Sequence, residues 1–268
     1  MTMHALHRRA RPAALALALA VVSACATHTR NPVPPGTSQP DKFLFDRGTA
    51  ALNDKKWLTA REFFKQVVET YTQSPYRPAA KLGLGDTYLG ENTAESLVLA
   101  LNEFTEFLSF YPTNERADYA QYKLGMTHFK QMRAPQRDQT ETKDAIKAFQ
   151  AFVVRHPNSS LMDEVKAKLR LAQDRLNDSD YQVGFYYYRV RWYPGAIDRF
   201  KTLLKQDPDY TRRDAVYFHL AESLSKVKLE AEALPYYERL VKEFEQSEYL
   251  EEARKRIAAL KVEAQGKP

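Results

Sequence analysis

Past residue 42, one spacing recurs five times: a small residue, then an alanine, then large apolar residues four and three positions further on. The copies read Gly48, Ala60, Phe64, Val67; Gly85, Ala100, Phe104, Phe107; Gly125, Ala145, Phe149, Phe152; Gly184, Ala196, Phe200, Leu203; and Ala221, Ala233, Tyr237, Leu240. In the first, fourth and fifth copies the small residue and the alanine are 12 apart. Between these anchors glycine is rare, and apolar residues return at three and four positions, the period of a helix rather than of a strand. A unit that small cannot bury its apolar face alone, so successive copies must stack on one another.

Each residue type has a physical task at its spacing. The small residue on the first helix of a pair and the alanine on the second are expected where the two helices approach most closely. The aromatic sits one turn beyond the alanine on the same face and fills the gap towards the next copy. Pro112, Pro157 and Pro208, each five residues after the last apolar anchor, cannot continue the second helix and set the turn. This is the tetratricopeptide pattern. It predicts an all-α solenoid of five helix pairs, closed by an amphipathic capping helix over 249–264.

Two copies carry insertions. The small residue and alanine are 15 apart in the second and 20 in the third, where QMRAPQRDQTETKDA predicts a polar loop running into a helix start. After Pro157, Ser160 is the expected N-cap of a helix through Val165, Leu169, Ala172 and Leu176, with Asp163 and Glu164 in its first turn. Only Gly184 interrupts the sequence from there to Val190, which leaves open one long helix joining the two halves.

The N-terminus makes a different statement. Three arginines, the apolar run Ala13 to Val22 and the small residues Ser23 and Ala24 form a secretory signal peptide, too short to span a bilayer as a mature helix. Val22-Ser23-Ala24-Cys25 is similar to the bacterial lipobox, in which the cysteine becomes the first, lipidated residue. Cys25 is the sole cysteine, so no internal disulfide framework exists and an acyl anchor gives that thiol a reason. The following stretch to Pro40 holds four prolines and a glycine and reads as an extended tether. The resulting division is a signal peptide over 1–24, lipidated cysteine and tether over 25–41, an N-terminal half over 42–160 and a C-terminal half over 161–264.

Little in the sequence points to catalysis or cofactors. Removing the three signal-peptide arginines from the formal +6 leaves +3, a weak attraction for a polyanion, and export argues further against nucleic acid. KLGLGDTYLG, from Lys81 to Gly90, lacks the Gly-Lys-Ser/Thr ending of a phosphate loop, and the repeat already accounts for Gly85. His128 takes the position of Tyr88 and Tyr187 in neighbouring copies, which predicts a packed histidine. Neither it nor His156 nor His219 has a partner at metal spacing. Glu251 and Glu252 lie on a lysine- and arginine-rich helix and read as a solvated face.

YYYRVRWYPGAIDRF, over Tyr186 to Phe200, first suggests a surface for stacking bases. The repeat dissolves most of that reading. Tyr187 is a first-helix aromatic, Trp192 to Gly195 an inter-helix turn with Pro194 opening the second helix, and Ala196 and Phe200 core. Arg189, Arg191 and Arg199 are left without a packing role, and they are the candidate protein-binding residues.

Lipobox, tether and repeats with a lengthened third copy resemble the outer-membrane assembly lipoprotein family of Gram-negative bacteria, usually called BamD. The third copy carries the most specific match, QYKLGMTHF followed by RDQTETKDAIKAFQAFVVRHPNSS, and Ser74-Pro75-Tyr76 is similar to that family's first link. Leu124 departs from it, standing where the family usually has arginine. The resemblance implies a non-enzymatic, lipid-anchored scaffold facing the periplasm. Its C-terminal repeats would dock on a POTRA domain of the barrel-shaped insertase, alongside other assembly lipoproteins, and its N-terminal repeats would receive unfolded outer-membrane proteins. In that family an arginine at the position of Arg199 pairs with an acid on the POTRA domain. The alternative left open is another periplasmic tetratricopeptide lipoprotein, such as one coordinating peptidoglycan synthesis.

Overall fold

The computed structural model describes residues 33–265, so the signal peptide and Cys25 lie outside the described residues. Among the described residues there are eleven helices and no strand. They are α1 (Pro40–Asn53), α2 (Trp57–Thr70), α3 (Arg77–Glu91), α4 (Ala94–Phe110), α5 (Ala117–Gln131), α6 (Thr140–Arg155), α7 (Met162–Arg189), α8 (Tyr193–Gln206), α9 (Arg213–Lys226), α10 (Glu230–Glu243) and α11 (Leu250–Gln265). Each helix packs on the next, and each odd-numbered helix from α1 to α7 also touches the following odd-numbered one. That is a tetratricopeptide solenoid of five pairs, with α11 packed on α10 as the cap.

All fifteen second-helix anchors of the repeat are essentially buried, from Ala60, Phe64 and Val67 through to Ala233, Tyr237 and Leu240. The small residue owes its identity to the aromatic ring rather than to the alanine. A Cβ built on Gly48 would lie 2.7 Å from the Phe64 ring, and one on Gly83 of the next pair 2.6 Å from the same ring's other edge. Phe64 is therefore held between its own pair and the following one, which is how one aromatic per repeat welds the stack. Gly85 and Phe104, Gly125 and Phe149, and Gly184 and Phe200 repeat the contact.

The long helix is real: α7 runs for 28 residues without a break. Gly184 costs a helix interior about 1 kcal/mol relative to alanine, but a Cβ there would lie 2.6 Å from the Phe200 ring, so packing decides. The helix does not begin as the sequence suggests. Its N-cap position is Leu161, and the expected cap Ser160 makes no cap hydrogen bond. Its neighbour Ser159 does the local work, accepting from the Leu161 N–H at 3.2 Å while donating to Asp118 at 2.6 Å.

That serine belongs to a device the sequence did not reveal. Ser74 donates to Asp41 at 2.6 Å and Ser247 to Asp214 at 2.7 Å, each also accepting a backbone N–H two residues on. Asp41, Asp118 and Asp214 stand in the first turns of α1, α5 and α9. The turn that ends a pair is thus tied back to where that pair begins, and the carboxylate also faces a helix N-terminus. The fourth pair has no helix start to offer, because its first helix is the middle of α7. There Arg170 and Asn177 of α7 hold Asp207, and the Tyr210 hydroxyl donates to Asp178.

Candidate partner-binding surface

The elbow between α7 and α8 carries two of the three candidate arginines. Helix α7 ends at Arg189, and the turn is Val190 to Trp192, two residues earlier than the sequence suggests, because Pro194 is accommodated in the first turn of α8. Arg191 makes the turn with φ of +61°, and Lys55, Asn92 and Lys228 do the same in the turns of the first, second and fifth pairs. Left-handed backbone costs a non-glycine residue roughly 1–2 kcal/mol, so the position has a structural task while its side chain stays free.

Arg189 and Arg191 are exposed, and the apolar residues between and beside them are exposed too: Tyr186 at 61%, Val190 at 53% and Trp192 at 55%. The other face of Trp192 is engaged, its ring meeting Tyr187 edge-on at 4.7 Å. Arg199 is exposed two turns into α8. Among the described residues none of the three arginines makes an ion pair within 4.0 Å.

Repeat geometry explains what Arg199 faces. Four residues before the small residue and three after the alanine, the two helices of a pair oppose one another. Lys81 meets Glu103 at 2.8 Å, the Gln121 amide donates to Ala148 O at 3.0 Å, and the rings of Tyr217 and Tyr236 lie 6.2 Å apart. In the fourth pair these positions are Asp180 and Arg199. Burial raises the Asp180 carboxyl above its ordinary range, while Lys143 and Arg199 pull it the other way. The guanidinium therefore borders a carboxylate with which it forms no direct pair.

The third-repeat insertion, residues 132–139, is pinned beside this surface. Gln139, nearly buried, donates to Ala134 O at 2.8 Å and Arg137 O at 2.9 Å, and accepts from the Thr142 hydroxyl at 2.8 Å. Arg175 of α7 donates to Arg133 O at 2.9 Å. Between Pro135 to Arg137 and the α7 stripe of Ser179, Val183 and Tyr186 lies a cleft of about 300 Å3. The sequence identified the loop but not what it lies against, which depends on α7 running on unbroken.

The other singled-out residues have plain surroundings. Lys81 to Gly90 is helix throughout. His128 is largely enclosed, with its Nδ1 2.8 Å from a Glu141 carboxylate oxygen, a polar partner the sequence did not reveal. His219 is buried within an aromatic cage that includes Phe185 at 4.9 Å and Tyr188 at 5.0 Å, and burial holds its pKa below 6.5. Glu251 pairs with Arg254 on the surface of α11. Among the described residues no three His, Cys, Asp or Glu side chains gather as a metal site, and no helix is long and apolar enough to cross a membrane.

Comparison with known proteins places this architecture. The outer membrane lipoprotein family YfiO matches residues 37–233. The outer membrane protein assembly factor BamD of Caulobacter vibrioides is 28% identical over 227 residues, 83% of this chain and 73% of that protein. The Vibrio cholerae factor of the same name is 27% identical over 180 residues, 63% of this chain and 73% of its own. Among solved structures, the TPR2AB domain of yeast Sti1 is 12% identical with a TM-score of 0.45, over 84% of each chain. The family match runs from ahead of α1 into the first turn of α10, and the chain belongs to the YfiO family of outer membrane lipoproteins, that of the assembly factor BamD.

Proposed function

We propose that this chain is the lipid-anchored, periplasm-facing scaffold of an outer-membrane β-barrel assembly complex, anchored through Cys25. Its α7–α8 elbow docks a POTRA domain of the barrel insertase, beside other assembly lipoproteins, and its N-terminal repeats receive unfolded outer-membrane proteins. The observation that supports docking is that Arg189, Arg191 and Arg199 are exposed and unpaired among the described residues, beside the exposed rings of Tyr186 and Trp192. Exposed aromatics next to arginines are the residue types that dominate protein interfaces. Arg199 is the sharpest of the three, because its charge is felt by Asp180 across the pair yet is not taken up in a direct ion pair. An acid on the partner completes the bidentate contact that guanidinium favours. The role is one of binding and requires no proton transfer and no cofactor.

Affinity purification from membranes should recover a POTRA-containing β-barrel, and Arg199→Glu should weaken that association at least about tenfold, the scale of placing like charges across an interface. Undiminished recovery with Arg199→Glu would remove the elbow from the docking surface. For the anchor, Cys25→Ala should abolish metabolic labelling with palmitate, and persistent label would place the lipid elsewhere.

A further inference from the structure

Of the histidines among the described residues only His219 is buried, at 6% exposure. It sits where three parts of the molecule meet. From α7 the rings of Tyr181, Phe185 and Tyr188 lie 5.9, 4.9 and 5.0 Å from it, and Phe200 of α8 lies at 6.4 Å. Its own helix α9 adds Phe218 at 5.3 Å, and the turn ahead of α11 adds Tyr249 at 5.4 Å. Four of these rings meet the imidazole edge to face, with interplanar angles from 79° to 89°. One imidazole thus joins the fourth pair, the fifth pair and the cap.

The surroundings suit the neutral ring. Nδ1 lies 2.8 Å from Ala215 O, which can only accept, so the neutral ring carries its proton there. Helix α7 brings the phenols of Tyr181 and Tyr188, which burial keeps protonated, and α8 brings only Phe200. The carboxylates that favour a charged imidazole are Glu222 of α9 and Glu248 of the turn ahead of α11. Glu222 is already held by Arg256 of α11 at 2.7 Å and by the Tyr237 hydroxyl, and Glu248 is exposed. Burial outweighs both and lowers the affinity of His219 for a second proton.

We propose that His219 makes this joint acid-sensitive: on taking up a proton the ring leaves its aromatic cage, and the fifth pair and cap open locally from the fourth while the N-terminal repeats stay closed. The sign follows from linkage. Below pH 6.5 the opened form binds a proton that the closed form refuses, so acid favours opening, and above 6.5 the closed form keeps its full advantage. Tyr188 directly precedes Arg189, so the joint also supports the elbow. That consequence rests on the docking proposed above, whereas the response to acid does not.

Hydrogen exchange of the purified full chain in detergent, read by mass spectrometry at pH 7.5 and 5.5, tests it with His219→Phe and His219→Gln. The second variant keeps a donor for Ala215 O and the first keeps an aromatic ring, but neither titrates. In α9 and the turn ahead of α11, the wild-type rate divided by either variant's rate should rise about tenfold from pH 7.5 to pH 5.5, one unit below the ordinary imidazole value. In α3 and α4 the same ratio should stay constant, and His128→Gln should behave as wild type. A ratio that does not change with pH in α9, or one that rises equally in α3 and α4, would overturn the assignment. So would a His219 ring that titrates at the ordinary value in the folded wild-type chain, followed by its NMR signal. The assay contains no POTRA domain, so its failure leaves the Arg199 test untouched.

Discussion

The third and fourth helix pairs share one core and present different faces. Ala145, Phe149 and Phe152 are fully buried in α6, as are Ala196, Phe200 and Leu203 in α8. In both pairs a glycine on the first helix lies against the aromatic ring, Gly125 on Phe149 and Gly184 on Phe200. Yet the next positions out are Ala148 and Ala151 in one and Arg199 and Thr202 in the other, giving a groove on the first and an unpaired guanidinium on the second. The core residues are constrained from both sides, by their own pair and the following one, so they can hardly vary. Ala151, Arg199 and Thr202 lie outside that doubly packed core, and positions of this kind can carry partner chemistry at little cost to folding.

The strongest way to break that comparison is to remove the shared element. Phe149→Ala and Phe200→Ala should each destabilise the chain by about 3–5 kcal/mol, measured by urea unfolding, whereas Ala151→Tyr and Arg199→Glu should change stability by no more than about 0.5 kcal/mol. A large loss from either outward variant would mean that the two classes of position are not separable. Unequal losses from the two phenylalanines would mean that the pairs do not share one packing rule.

This division also decides what was legible beforehand. The anchors were readable because alanine, aromatic and apolar residue recur at four and three, a step fixed by helix geometry and independent of the rest of the fold. The serine clamps were not, since Ser74 and Asp41 lie 33 residues apart and Ser159 and Asp118 41 apart. Ser160 was the expected cap from its place ahead of the helix, while the hydroxyl that matters, that of Ser159, is chosen by Asp118 on another helix. Arg199 stood out as a charge without a packing role. The groove beside Ala148 and Ala151 did not, because in sequence two alanines on a helix signal only propensity, while the groove depends on how α4, α5 and α6 pack.

The same two pairs are closed in different ways, and the closures rank next in expected effect. In the fourth, Arg170 and Asn177 hold Asp207, which also accepts from the Asp209 N–H at 3.1 Å. Burial pushes the Asp207 carboxyl up, but the hydrogen bonds from Arg170 and Asn177 more than offset it, so its pKa lies below the ordinary 3.8. A carboxylate depressed in the folded state adds stability that is present above its unfolded pKa and is lost as pH falls through the folded value. Asp207→Ala should therefore cost about 1–3 kcal/mol at pH 7, by leaving the half-buried Arg170 with Asp174 alone and Asn177 without its acceptor. The wild-type advantage over Asp207→Ala should shrink as pH is lowered below about 4. An advantage that stays constant from pH 7 to pH 3 would show that the carboxylate's charge is not what closes this pair.

The third pair is closed by a neutral hydroxyl, and here the effect is smallest. Ser159→Ala should cost about 1 kcal/mol, the net worth of one partly exposed hydrogen bond, since the Leu161 N–H and Asp118 it abandons can both reach water. What separates the closures is their response to salt. An arginine and a carboxylate, with side chains 28% and 16% exposed, are partly screened when the Debye length falls to about 3 Å at 1 M salt. A serine hydroxyl carries no charge to screen. Raising sodium chloride to about 1 M should accordingly reduce the cost of Asp207→Ala while leaving that of Ser159→Ala where it was. If both costs fell together, the hydroxyl and the ion pair would be equivalent locks, and the loss of a helix start in the middle of α7 would no longer explain why the fourth pair recruits Arg170.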